Sequence, residues 1–155
     1  MDRIELDTVL PVPAAQAVDV FWNVQQWQRI WNPIQQVTVL YDDGRLQEFQ
    51  MELFWNDAPI TIRTVRIRGR SGDIEFFSPN PPGEFSHHTG HWRFSAVDAT
   101  RCRLTAIREF MVRREPDESR DAYRLRKEKV RAAFQARLMR ILDAFYVHAV
   151  NGLKG

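Results

Sequence analysis

The stretch SRDAYRLRKEKVRAAFQARLMRILDAFYVH, residues 119–148, decides the fold. Within it Val130, Phe134, Leu138, Ile141 and Phe145 recur at steps of four, four, three and four, which places them on one stripe of an α-helix. That stripe must be buried, and the chain upstream has to supply the surface that buries it. The helix is expected to begin at about Asp117 or Ser119 and to end near His148, with Asn151 and Gly152 beyond it as stop signals. At roughly 1.5 Å per residue it reaches about 45 Å, more than a small sheet covers. Its first turns, Arg120 to Arg131, are mostly charged and are expected to overhang into water.

Upstream, the residues beyond Pro33 read as β-structure. The segments Gln36 to Tyr41, Arg45 to Trp55, Pro59 to Arg68, Gly72 to Phe77, Phe85 to Val97 and Arg101 to Arg113 have ordinary strand lengths and are separated by Gly, Asp and Pro. Asp42 to Gly44 and Ser71-Gly72 read as hairpin turns, so the strands follow one another as an antiparallel meander. SPNPPGE, Ser78 to Glu84, reads as a longer loop placed to cover a pocket mouth, because its prolines do not fit inside a central strand. At the amino end IELDTVL, Ile4 to Leu10, alternates with period two until Pro11 stops it. AAQAVDVFW, Ala14 to Trp22, then carries a helical apolar stripe, and Trp27 to Trp31 makes a second short turn before Pro33.

The 155 residues match one domain, 1–155, and 44% hydrophobic with 27% charged residues is the composition of a soluble globular chain. No run approaches the roughly 20 apolar residues that cross a bilayer, so no membrane insertion is expected. The amino terminus MDRIELD lacks the order of an export signal, which predicts a cytoplasmic protein. Cys102 is the one cysteine, which excludes an internal disulfide framework and leaves any CxxC site without a partner. The net charge of +2 does not select a partner. Five tryptophans and ten phenylalanines point to an aromatic core or an aromatic-lined pocket.

No Ser, His and Asp order marks a nucleophile elbow and no glycine-rich loop offers a phosphate cradle, so no nucleotide or other cofactor is expected. His87, His88 and His91 invite a metal reading, with His87 and His91 on one strand face. No carboxylate or cysteine joins them at ligand spacing, and no metal site is expected. His91, beside Trp92 in GHWRF, is the candidate proton relay near neutral pH, against the plain alternative of a packed, hydrogen-bonded histidine. Glu109 reads as a surface pairing residue. The basic run Arg120, Arg124, Arg126, Lys127, Lys129 and Arg131 is interrupted by Asp121 and Glu128 and lacks an aromatic platform, so it reads as a solvated helix face with no nucleic-acid partner. In ITIRTVRIR, residues 60–68, Ile60, Ile62, Thr64, Arg66 and Arg68 share one face while Thr61, Arg63, Val65 and Ile67 share the other. Both faces carry arginine, so alternation leaves the inward face open.

A strand, two short helices, six further strands and a long final helix form an order that resembles the helix-grip fold of the START and polyketide cyclase (SRPBCC) superfamily. VFWNVQQWQRIWNPIQQVTVL, Val20 to Leu40, and GHWRFSAVDATRCRLTAIREFMVR, Gly90 to Arg113, are similar to the aromatase/cyclases of bacterial aromatic polyketide pathways. The resemblance implies an α+β domain in which a curved antiparallel seven-stranded sheet wraps the C-terminal helix, with two short helices after strand 1 and an internal pocket. In that family an arginine on a central strand, two residues after a small hydroxyl side chain, points into the pocket and is tied to activity. By resemblance these positions are Arg66 and Thr64. Trp27 takes the place of a pocket tryptophan, while the family's pocket tyrosine falls on Ile34 and a second pocket tryptophan on Ile62, which implies a differently shaped ligand. Trp31 and Phe134 complete the expected substrate-binding set.

The activity so implied is cyclisation of a carrier-tethered poly-β-ketone by aldol condensation and dehydration, with Arg66, Thr64 and His91 as the catalytic set. Arginine suits the task because it stays protonated when partly buried and offers five donors in a fixed plane to a developing oxyanion. The expected partners are a hydrophobic polyketide-like small molecule and an acidic acyl carrier protein that docks weakly and salt-sensitively on the basic helix face. The chain is read as a monomer or homodimer. The alternative is a non-catalytic carrier or sequestering protein for a hydrophobic or aromatic molecule, favoured by the missing tyrosine and tryptophan. On the enzyme reading, Arg66→Ala abolishes product redirection and leaves folding intact.

Overall fold

The computed structural model describes residues 1–55 and 57–154, with side chains as far as Leu153. Strand β1 (Asp2–Leu10) leads into α1 (Ala14–Trp22), a 3-10 turn (Val24–Gln26) and α2 (Trp27–Ile30). Then come β2 (Ile34–Asp42), β3 (Leu46–Trp55), β4 (Ala58–Arg68), β5 (Ile74–Asn80), β6 (Phe85–Ala96), β7 (Cys102–Val112) and the long α3 (Arg120–Lys154). The strands form one antiparallel sheet in the order β1-β7-β6-β5-β4-β3-β2. Consecutive strands pair throughout the meander, and the single non-local pairing is β1 on β7, with Asp2 opposite Phe110 and Leu10 opposite Cys102. The excursion through α1 and α2 therefore carries the chain from one sheet edge to the other. This is the helix-grip α+β fold that the order of elements predicted.

The sheet curves because its ladder is interrupted. Register shifts lie at Ile34/Gln36 and Val39/Tyr41 in β2, between Arg63 and Val65 in β4, and between Phe85 and His87 in β6. Each bulge bends its strand and raises the local twist, which closes the inner face around α3. On that face β7 buries Cys102, Leu104, Ala106, Arg108, Phe110 and Val112, and β3 buries Gln47, Phe49, Met51 and Leu53. Helix α3 answers with Phe134, Leu138, Leu142 and Phe145, with Val130 and Ile141 packed at the margin. Each fully buried side chain of this kind contributes about 1.5–3 kcal/mol. Helix α1 joins the same core through Phe21, whose ring stacks on Phe145 at 3.9 Å and meets Trp92 at 4.8 Å.

Some boundaries differ from expectation. Strand β5 runs through Pro79 to Asn80, so the predicted loop from Ser78 starts later. Beyond Phe77 β5 has no partner in β6, and its ladder to β4 skips from Phe77 to Asn80. Pro79 sits in that gap, where its missing amide does not break a regular ladder. Helix α3 continues past Asn151 and Gly152 to Lys154. A glycine costs about 1 kcal/mol of helix propensity, which does not by itself terminate a long packed helix. The first turns of α3 are anchored instead of overhanging freely. Ser119 Oγ accepts the Ala122 amide as an N-cap, and Tyr123 Oη donates to the Val112 carbonyl at 2.7 Å. Arg126 donates to Glu118 and to the Arg113 carbonyl, and Arg131 donates to the Arg3 carbonyl at 2.7 Å. These side chains reach back to the ends of β7 and β1. Among the described residues, no helix is long and apolar enough to cross a membrane.

Gly90, on the inner face of β6, marks the tightest approach in the sheet. A Cβ there would stand 2.4 Å from the Ile107 carbonyl oxygen and 2.7 Å from the Phe76 ring. The ring can tilt away, whereas the carbonyl belongs to the β6–β7 ladder. Gly90→Ala is expected to cost about 2 kcal/mol or more, read as a lower urea midpoint at unchanged slope. A midpoint equal to that of the unsubstituted protein would refute this contact.

Candidate functional site

Arg66 lies on the inner face of β4 in phase with Ile60, Ile62 and Thr64, and is 1% exposed. Helix α1 ends directly beneath it, and the last carbonyls of a helix have no intrahelical partner. Arg66 supplies donors to them: Nη1 to Phe21 O at 2.8 Å and Nη2 to Trp22 O at 2.8 Å. Its Nε and Nη2 also donate to Gln47 Oε1, at 2.9 and 2.5 Å. Gln47 Nε2 in turn donates to Trp22 O and to Asp42 Oδ2, and Trp27 Nε1 donates to Phe21 O. The rings of Trp22, Trp27 and Phe49 lie 5.1, 5.6 and 5.2 Å from the guanidinium carbon. Burial pushes the Arg66 pKa down to about 9, with the charge of Asp42 acting in the opposite sense, so the group is a cation at neutral pH. A cation at the C-terminal end of α1 is also favourably placed against the helix dipole.

Between α3 and the inner sheet face lies a cavity of about 100 Å³. Its wall takes Trp27 and Trp31 from the α2 region, Phe49, Met51, Leu53 and Trp55 from β3, and Ile62, Thr64 and Arg66 from β4. Phe76 and Ser78 of β5, His88 and Trp92 of β6, Arg108 of β7 and Phe134, Arg137, Leu138 and Ile141 of α3 complete it. The expected site residues Arg66, Thr64, Trp27, Trp31, Ile62 and Phe134 thus share one wall. Ile34 is buried in the core at the start of β2 and does not reach the cavity.

His91 requires a correction, because it projects from the opposite face of the sheet. Its side chain is 40% exposed, its Nε2 lies 3.3 Å from Glu75 Oε1, and it borders an outer depression with Thr89, Phe77 and Glu109. The odd positions His87, Thr89 and His91 face outward while His88, Gly90 and Trp92 face α3. A residue on the outer face cannot relay a proton inside the cavity.

The wall also contains polar groups that were not among the expected ones. Arg108 donates from Nη1 to Ile107 O at 2.9 Å, and its guanidinium carbon lies 4.2 Å from the Trp92 ring and 4.7 Å from the Phe76 ring. Among the described residues, no protein acceptor meets its Nε or Nη2. Burial lowers its pKa to about 9, which leaves it charged at neutral pH. His88 Nδ1 lies 3.1 Å from Ser78 Oγ, while its Nε2 is sealed from solvent and has no partner. Burial first, then the nearby charges of Arg108 and His87, press the His88 pKa down to about 3. Arg137 lies with its guanidinium carbon 3.5 Å from the Trp55 ring centroid. Trp31 and Arg137 also border an open groove of about 710 Å³ that includes Pro33, Phe54 and Arg140. A sequence signal for Arg108 existed, since it falls in phase with five apolar residues of β7. His88 had a weaker one, because the bulge after Phe85 shifts the alternation.

A curved antiparallel sheet that grips a long C-terminal helix, with two short helices after the first strand, defines a START-like helix-grip architecture. The sequence matches the family described as polyketide cyclase / dehydrase and lipid transport over residues 10–136, and the chain belongs to that family. Among solved structures it is similar to the Zhui aromatase/cyclase from Streptomyces sp. R1128, with a TM-score of 0.77 and 20% identity over 98% of this chain and 95% of that one. It is similar to a protein of Thermus thermophilus, TTHA0849, with a TM-score of 0.82 and 12% identity over 97% and 99% of the two chains. It is also similar to the di-domain ARO/CYC BexL from the BE-7585A biosynthetic pathway, with a TM-score of 0.78 and 16% identity over 97% of this chain and 47% of that one. At such identities the likeness concerns the fold. No curated protein sequence matches the chain.

The bonds of Arg66 change what its replacement should do. Arg66→Met is expected to lower stability by on the order of 3 kcal/mol, because it removes the donor of four buried hydrogen bonds and leaves Gln47 Oε1 without its donors. Urea unfolding checks this, and an unchanged midpoint would show that the clamp carries no stability. His88 makes the fold sensitive to acid. With a folded pKa of about 3 against an unfolded value near 6.5, the unfolded chain binds the extra proton first, so this contribution is full above pH ~6.5 and is lost as pH falls toward 3. His88→Phe is expected to retain more of its stability than the unsubstituted protein over that window, by up to a few kcal/mol. Parallel stability profiles for the two proteins would contradict this.

Proposed function

We propose that the chain is an aromatase/cyclase that takes a carrier-tethered poly-β-ketone into the cavity, sets the fold of its first ring and promotes aldol cyclisation and dehydration. The observation that supports this reading is an aromatic wall with buried guanidinium groups and, among the described residues, no carboxylate. In an aldol step an enolate carbon attacks a ketone, a C–C bond forms and the former carbonyl oxygen takes up negative charge and then a proton. Loss of that hydroxyl with an adjacent hydrogen releases water and leads to the aromatic ring. Preorganised cations in a dry site stabilise the oxyanion of the first step most strongly. Arg108 has donors to spare for it. Arg66 supplies charge from the same wall while its hydrogen bonds hold α1, and the Thr64 hydroxyl stands beside it.

A poly-β-ketone is larger than about 100 Å³, so entry in this reading requires the wall at Trp31 and Arg137 to part toward the groove that both residues border. Trp27, Ile62 and Phe134 then contact the guest, and an acyl carrier protein delivers it through weak, salt-sensitive contact with basic residues of α3. A non-catalytic carrier for a flat hydrophobic molecule is the second reading, favoured by the small cavity and by the bonds that already occupy Arg66. Coexpression with a minimal polyketide synthase separates the two. The enzyme reading expects a ring pattern absent from the synthase alone. Unaltered products together with tight binding of a flat aromatic would establish the carrier instead.

A further inference from the structure

We infer that Arg108 and His88 form an oxyanion site in the cavity wall, where Arg108 and the Nε2–H of a neutral His88 converge on one enolate or phenolate oxygen of the ligand. This rests on the cavity being the ligand site. The β6–β7 register sets Gly90 opposite Arg108 and His88 opposite Phe110, so His88 and Arg108 are diagonal neighbours on one face. Both border the Phe76 ring, His88 at 5.3 Å between centroids and the Arg108 guanidinium carbon at 4.7 Å, and the absent side chain of Gly90 is what admits that ring.

Two features point to a missing partner. A buried ring nitrogen without a hydrogen bond costs about 1–3 kcal/mol, and His88, a residue of the cavity wall, holds such an atom in its Nε2. Arg108 is a buried cation on the same wall with donors uncommitted and, among the described wall residues, no carboxylate to neutralise it. The Ser78 hydroxyl brings a hydrogen of its own, and among the described residues its one hydrogen bond is with His88 Nδ1. Donated there, it places the ring hydrogen on Nε2. Burial and the adjacent Arg108 keep the ring neutral, so it is a poor base and serves as a donor. A neutral imidazole used as an electrophile in this way is an established catalytic device. Two donors without an acceptor select an oxygen that has lone pairs and charge, as in an enolised β-dicarbonyl or a phenol losing its proton.

The probe is 4-nitrophenol, measured by absorbance at a pH where the free probe is mostly protonated, with 4-nitrotoluene as a neutral match in shape. The unsubstituted protein is expected to show the phenolate band on binding. Arg108→Met and His88→Phe should each weaken phenolate binding at least tenfold while 4-nitrotoluene still quenches tryptophan fluorescence as before. His88→Gln, which keeps a donor, should recover part of the loss. Binding of the neutral phenol, or unchanged phenolate affinity in the folded variants, would overturn the oxyanion site and leave the cyclase reading to the product assay. If neither probe binds, the cavity is not a ligand site and both readings fall. Nitrogen NMR of the His88 ring gives a check on the intact protein: hydrogen on Nε2 supports the site, and hydrogen on Nδ1 overturns it.

Discussion

Two unfavourable features of this molecule cancel at Arg66. A guanidinium moved into a protein interior loses several kcal/mol of hydration, and a helix that ends inside a core leaves carbonyls without donors. Each meets the other's need: Arg66 fills the lone pairs at the end of α1, and the carbonyls of Phe21 and Trp22 with Gln47 Oε1 replace the water that Arg66 has lost. The consequences reach beyond the bonds. Pinning the end of α1 to β3 and β4 seats Phe21 against Phe145 of α3 and turns Trp27 into the cavity wall. The aromatic roof over one part of the cavity therefore exists because a charged group lies behind it.

The same arrangement divides labour between the two strand arginines of the wall. Arg66 is a cation whose hydrogens are mostly committed to architecture, whereas Arg108 is held chiefly by the rings of Trp92 and Phe76 and retains donors. Rings stabilise a guanidinium through their faces without using its N–H groups, which remain available in the plane. Charge thus pervades the cavity, but directed hydrogen bonding is concentrated near β6 and β7. Arg137, stacked on Trp55 and shared with the outer groove, is the third cation and lies where the interior meets the surface.

Much of the fold could be read directly. Burial of Phe134, Leu138 and Phe145 follows from their spacing, and the β-segments were found from alternation and turn residues because each hairpin is a local event. The boundaries that moved did so for tertiary reasons: Pro79 lies where β5 has left β6, and the charged start of α3 is tied down by Tyr123, Arg126 and Arg131. The site was legible in part. Arg66 and Thr64 follow from the family resemblance, since strand alternation leaves the inward face of β4 open, whereas Arg108 is marked only by standing in phase with apolar neighbours. His91, the expected relay, lies on the outer face of the sheet and His88 on the inner one, because neighbouring positions of a strand alternate and a bulge after Phe85 resets the phase.

By itself the sequence determined what repeats locally: the stripe on the last helix, the number and order of strands, and a composition rich enough in aromatic rings to build or line an interior. These follow from periodicity, which each segment carries within itself. Only the tertiary structure decided which face of β4 turns inward, which arginine has its donors consumed and which keeps them, and which histidine nitrogen is sealed without a partner. Those outcomes depend on groups far apart in the chain, on an α1 carbonyl reaching Arg66 and a β5 hydroxyl reaching His88. No local pattern encodes a hydrogen-bond partner that arrives from another element.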